Sequence, residues 1–91
     1  MKGEYIVDLV IADSYMFESR DVFSEEENEK LKNELHALPD DRKRLAHLLN
    51  TYTKRGLEFI SAESGDERSL NSLFMGPGIW VGYLIFRKTT D

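Results

Sequence analysis

Cysteine is absent from the chain. That absence removes disulfides, thiolate metal ligation and cysteine nucleophiles together. Small secreted domains more often carry disulfide staples, so the cytoplasm is the expected compartment. Long hydrophobic runs are missing as well. The longest, Ile79 to Phe86, has the length of a strand, against the ~18–20 residues that cross a bilayer. Met1 to Tyr5 lack the apolar region and small-residue cleavage site of a signal peptide. Positive charge is in the minority: 12 Lys and Arg against 17 Asp and Glu leave a net charge of −5. This disfavours nonspecific binding to nucleic acid or to an anionic membrane. Histidine occurs only at positions 36 and 47, on separate predicted helices and outside any local zinc spacing. No cofactor, metal, nucleic acid or membrane partner is therefore expected.

What is present describes one small folded domain, residues 1–91, with 41% hydrophobic and 32% charged residues. A chain of this length buries about 60–65% of its unfolded surface, so its core is modest. The organising stretch runs from Leu45 to Ile60. Leu45, Leu48, Leu49 and Tyr52 follow i, i+3, i+4, i+7 spacing and form one apolar helix face. Lys54 and Arg55 suit a helix C-terminus, and Gly56 suits the left-handed residue that closes it. Leu57, Phe59 and Ile60 then begin a strand, which is expected to point Leu57, Phe59 and Ser61 to one side.

Tyr5 to Ala12 reads as the first strand, apolar on both faces except at Asp8. Asp8 is expected at a solvated or edge position that limits mispairing. Between Asp13 and Phe23 the aromatics suggest a packed loop or a short strand extension. Ser24-Glu25-Glu26-Glu27 matches a capping box, and Phe23 holds the staple position before it. Leu31, Leu35 and Leu38 give that first helix a narrow stripe. Its glutamates are expected on a solvated face. Leu38-Pro39 stops it, and Asp40 or Asp41 caps the second helix. Arg42, Lys43 and Arg44 form the only basic cluster, expected on an exposed face paired with the acidic first helix. Leu70, Leu73, Phe74 and Met75 bring apolar residues into the long connection that ends Gly76-Pro77-Gly78. Ile79 to Phe86 is apolar on both faces: Ile79, Val81, Tyr83 and Ile85 on one, Trp80, Gly82, Leu84 and Phe86 on the other. A strand of that kind is usually central.

These elements assemble as an α+β fold. It is a split β-α-α-β-β two-layer sandwich with a three-stranded, mainly antiparallel sheet, order 2-3-1, and both helices on one face. The other face is left open and apolar, which predicts association; the pattern leaves open which parity faces outward.

An N-terminal "EYIVDLV" strand, a "LLNTYTKRGLEFISAES" helix-to-strand joint and a closing "GYLIFRK" strand resemble the small bacterial family called domain of unknown function 4177. Leu49-Asn50, Arg55 to Ile60 and Ile85 to Lys88 carry the likeness, over the first strand and roughly residues 45–88. The family's tryptophan is Leu57 here, its first glycine is absent, and residues 13–41 and the last loop are longer. The resemblance implies this fold and brings no catalytic residues with it.

The leading expectation is a non-enzymatic, self-associating interaction or regulatory domain, a homo-oligomer that also has the makings of a protein partner. Leu73, Phe74, Met75, Trp80, Tyr83, Leu84 and Phe86 are its expected interface or binding residues. The first alternative is a small-molecule-binding module, with a pocket between the helices and the 65–78 loop and Trp80 or Tyr83 as a wall. The second is a small dimeric α+β enzyme using His36 or His47 with a carboxylate. No catalytic residue is assigned.

Overall fold

The computed structural model describes residues 3–13, 16–65, 70, 73–74 and 78–89. In chain order they form β1 (Tyr5–Ala12), β2 (Phe17–Ser19), α1 (Glu25–His36), α2 (Asp41–Thr53), β3 (Leu57–Ser64) and β4 (Trp80–Lys88). All pairings are antiparallel and the sheet order is β2-β1-β4-β3. The sheet thus has four strands where three were expected. The added strand lies in the Asp13–Phe23 stretch and pairs Ala12 with Phe17 and Val10 with Ser19, on the outer edge of β1. Three residues leave almost no periodicity for sequence reading to detect. The strand exists because Phe17 and Ser19 are drawn inward by the core.

Local chemistry explains the helices. Ser24 Oγ accepts from the Glu27 N–H at 3.2 Å, and Glu27 Oε1 accepts from the Ser24 N–H at 2.9 Å, the reciprocal capping box. Phe23 does not staple, because the residue one turn on is Asn28. That side chain binds the backbone of Ser19 instead, accepting at 2.8 Å and donating at 2.8 Å. Asp40 caps α2 through its bond from the Lys43 N–H at 2.9 Å. Arg44 has a task unlike the one expected of the basic cluster. It donates to the Leu35 and Leu38 carbonyls at 3.1 and 2.9 Å, closing the C-terminus of α1, and pairs with Asp41 at 3.1 Å. Gly56 ends the α2–β3 joint at φ 78°, a conformation that strains any residue with a Cβ.

Both helices pack on one face of the sheet. Leu31, Leu35, Leu48 and Tyr52 meet Val10, Ala12, Phe17, Leu57, Trp80, Leu84 and Phe86 in a single core. Aromatic rings run through it: Tyr52 stacks on Phe86 with centroids 4.2 Å apart, Phe23 tilts against Tyr52 at 4.9 Å, and Phe59 meets Phe86 edge-on at 5.9 Å. Gly82 lets the Trp80 indole lie across β4. A Cβ there would overlap the Glu63 carbonyl oxygen and stand 2.7 Å from Trp80 Cη2. In β3 the expected alternation breaks. Phe59 pairs with Phe86 and Ser61 with Ile85, so Ile60 is an extra, bulged residue. Beyond the bulge Ala62, not Ser61, shares the covered side.

Candidate functional site: the open sheet face

The register defines the uncovered face level by level. Tyr5 pairs with Arg87, Val7 with Ile85, Leu9 with Tyr83 and Ile11 with Val81. These are the residues of β1 and β4 whose side chains alternate with the buried set. They make two adjacent columns, apolar over three of four levels, along about 20 Å of strand. Val7 is 48% exposed, Val81 46% and Tyr83 51%, large values for apolar or aromatic side chains in mid-strand. Ile79 extends the column and is exposed as well. A shallow depression of about 310 Å³ lies among Leu9, Gly65, Ile79, Val81, Gly82 and Tyr83.

Charged residues border the columns. Arg20 and Glu18 lie beside β1 and pair with each other at 3.3 Å. Glu58 and Glu63 lie on β3, opposite Arg87 and Tyr83. Arg87 donates to the Tyr5 hydroxyl at 3.0 Å, its guanidinium 5.4 Å from that ring's centroid.

Of the seven expected interface residues, Tyr83 alone is on this face. Trp80, Leu84, Phe86, Leu73 and Phe74 are buried in the core, which corrects their expected role as surface. Met75 falls outside the described residues. The parity of β4 decides the matter. Trp80, Gly82, Leu84 and Phe86 turn toward the helices, and the missing Cβ at Gly82 leaves room there for the Trp80 ring. A sequence signal did exist: the Val81-Tyr83-Ile85 column continues into Arg87, whose charge marks the solvent side.

Asp8 reverses the expectation for it. It is fully buried. Its Oδ2 accepts from Ser19 Oγ at 2.6 Å and from the Tyr52 hydroxyl, and its Oδ1 accepts from the Asp21 N–H at 3.0 Å. Asp21 in turn accepts from the Leu9 N–H at 2.9 Å, and Ser19 Oγ accepts from the Val22 and Phe23 N–H groups at 3.2 and 3.1 Å. The carboxylate therefore ties β1, β2, the turn into α1 and the last turn of α2 together. Burial foremost, then the Asp8 charge, pushes the Tyr52 hydroxyl well above the ordinary tyrosine range. The proton stays on the phenol, and the group acts as a fixed donor. The charge has protein donors on both oxygens, which is what permits its burial. The centre joins elements.

Two concavities test the other expectations. The one nearest the supposed ligand pocket is lined by Met16, Phe17, Leu35, His36, Arg44 and Phe74 and holds about 10 Å³, roughly one water. Between α1 and α2 lies a larger groove of about 310 Å³. On it His47 Nε2 is 3.0 Å from Glu34 Oε1, so one histidine does meet a carboxylate. Both side chains are partly solvated, and Thr51 directs its hydroxyl to the His47 carbonyl at 2.8 Å rather than to the ring. Arg55 also borders this groove, paired with Glu27. Among the described residues no group of three His, Cys, Asp or Glu side chains has the arrangement of a metal site, and no helix is long and apolar enough to cross a membrane.

No family model matches the chain, and neither the curated proteins nor the solved structures contain a significant match to it.

Proposed function

We propose that the chain is a non-enzymatic, self-associating interaction domain of the cytoplasm that works as a homodimer through its open sheet face. The observation that carries this reading is the double apolar column Val7, Leu9, Ile11 and Val81, Tyr83, Ile85, left in water by a two-layer fold. Contiguous apolar surface is costly in water and is a recurrent mark of association. The alternatives have less behind them. Most of the 65–78 loop expected to wall a ligand pocket lies outside the described residues, and the cavity that the described residues form beside Phe74 holds about 10 Å³. The His47–Glu34 pair bridges two helices at the surface, where such a contact serves to hold α1 against α2.

The face as a whole projects about 400 Å² (roughly 20 Å by four strands), short of the about 800 Å² a standard partner buries. A dissociable dimer is expected. Light scattering on a size-exclusion column, run as a dilution series, should give twice the 10.6 kDa chain mass at high concentration. Tyr83→Asp, which places a charge at the centre of the face, should return the monomer while leaving the far-ultraviolet spectrum unchanged. A monomer at every concentration up to the millimolar range would overturn the reading.

A further inference from the structure

The charges around the open face carry more information than its apolarity. Tyr83 on β4 pairs with Leu9 on one side and Glu63 on the other. The Arg20 N–H donates to the Leu9 carbonyl at 2.9 Å, so Arg20 stands at the same level, next to β1. Across the sheet this level reads Arg20, Leu9, Tyr83, Glu63. A cation lies at one border and an anion at the other, with two apolar residues between. The sequence order hides this, because the four residues come from four separate segments.

We propose that a second copy of this chain packs on the face about a two-fold axis running along the strands, between β1 and β4. This rests on the self-association reading above and specifies its geometry. Such an axis keeps every residue at its own level and exchanges the two sides of the sheet. Arg20 of each copy then meets Glu63 of the other, twice over. Leu9 meets Tyr83, Val7 meets Ile85, and Ile11 meets Val81. Arg87 meets the ring of the other copy's Tyr5, renewing between copies the cation–π contact it makes within one. Glu58 has no counterpart, because β2 ends at Ser19 and does not reach that level, so it keeps its water. Glu18 falls opposite Gly65, the residue whose N–H bonds the Val81 carbonyl.

A two-fold axis in the plane of the face that runs across the strands instead keeps the strands aligned but inverts the levels. It sets the Arg87 guanidinium against Val81 and the Tyr5 ring against Ile11, and gives Arg20 and Glu63 no opposite charge from the other copy. Desolvating a cation against an aliphatic side chain is unfavourable. Electrostatic complementarity therefore selects the axis along the strands, and orientation is what interfacial charges mainly govern.

Reversing one border charge places like charges together at both ends of the homodimer. Arg20→Glu and Glu63→Arg should each raise the dimer dissociation constant about tenfold in low salt. Mixed together, the two variants should form a heterodimer in which both contacts are again opposite in sign, with affinity within about threefold of the unaltered protein. Any loss of the Arg20–Glu18 pair within one chain cannot produce that rescue. Sedimentation equilibrium of the separate and mixed variants reads the result, and circular dichroism checks that each folds. If the protein dimerises but the mixture is no tighter than its components, the axis is wrong and self-association stands. If the unaltered protein is a monomer throughout, both readings fall.

Discussion

Asp8 and Val7 are neighbours in β1, yet they exchange the places their polarities suggest. The carboxylate has no solvent exposure and three protein donors, while the valine is 48% exposed with no helix above it. The contrast extends across the sheet. On the covered face, Trp80, Leu84 and Phe86 of β4 pack with Tyr52 and Leu48, and a polar knot sits among them. On the open face, Val81, Tyr83 and Ile85 look outward. Strand geometry fixes only that neighbours point opposite ways. Which way is inward depends on where the helices land, and a buried polar group is tolerated wherever partners saturate it.

If the two faces differ as described, the largest loss should come from Asp8→Ala. It removes a buried acceptor and leaves the Ser19 and Tyr52 hydroxyls and the Asp21 N–H without one. The expected cost is about 3–5 kcal/mol in urea denaturation at fixed protein concentration. An effect under about 1 kcal/mol would place Asp8 at the surface after all. Gly82→Ala should follow at about 1–3 kcal/mol, since the added methyl meets backbone at Glu63 and Ser64 and displaces the Trp80 ring. Thermal melts beside the unaltered chain would measure it, and an unchanged midpoint would mean that Trp80 does not cross the strand at that point.

Tyr52→Phe should cost less, about 1–2 kcal/mol at neutral pH, because one donor to the charge is lost while the ring stack on Phe86 is kept. Its clearer signature is pH dependence. The folded hydroxyl titrates above the ordinary value of 10.0, so the unfolded chain releases this proton first. The stability tied to it is whole below about pH 10 and is lost as pH rises further. In Tyr52→Phe that part of the alkaline decline should vanish from a series of denaturation curves. The smallest effect belongs to the open face: Val7→Thr should shift monomer stability by no more than about 0.5 kcal/mol. A larger change in the monomer would show that the face is covered from within the chain.

Much of this architecture was legible in the chain because local forces set it. Ser24 and Glu27 form their capping box within four residues, Asp40 caps within four, and Gly56 takes the left-handed turn where α2 gives way to β3. The two apolar parities of β4 were also plain, as was its central place between β1 and β3. Less legible was anything requiring partners distant in sequence. The bond between Tyr52 and Asp8 spans 44 residues, and a tyrosine on an apolar helix stripe gives no sign that its hydroxyl has a buried carboxylate to meet. For the same reason the pattern left the outward parity of β4 open, and the expected interface residues included Trp80, Leu84 and Phe86 from its buried side as well as Tyr83 from its open side.

The sequence by itself determined two capped helices, three main strands, a chain without thiol chemistry, and an excess of apolar strand surface over what two helices cover. Each of these follows from neighbours within a turn or a strand pair, or from composition. Tertiary structure alone decided that β2 joins the edge, that Ile60 bulges, that Asp8 is enclosed, and that the Tyr83 side of β4 stays open with Arg20 and Glu63 at its borders. These depend on the order in which separate segments lie side by side, and the two-residue alternation of a strand is symmetric until a helix covers one of its faces.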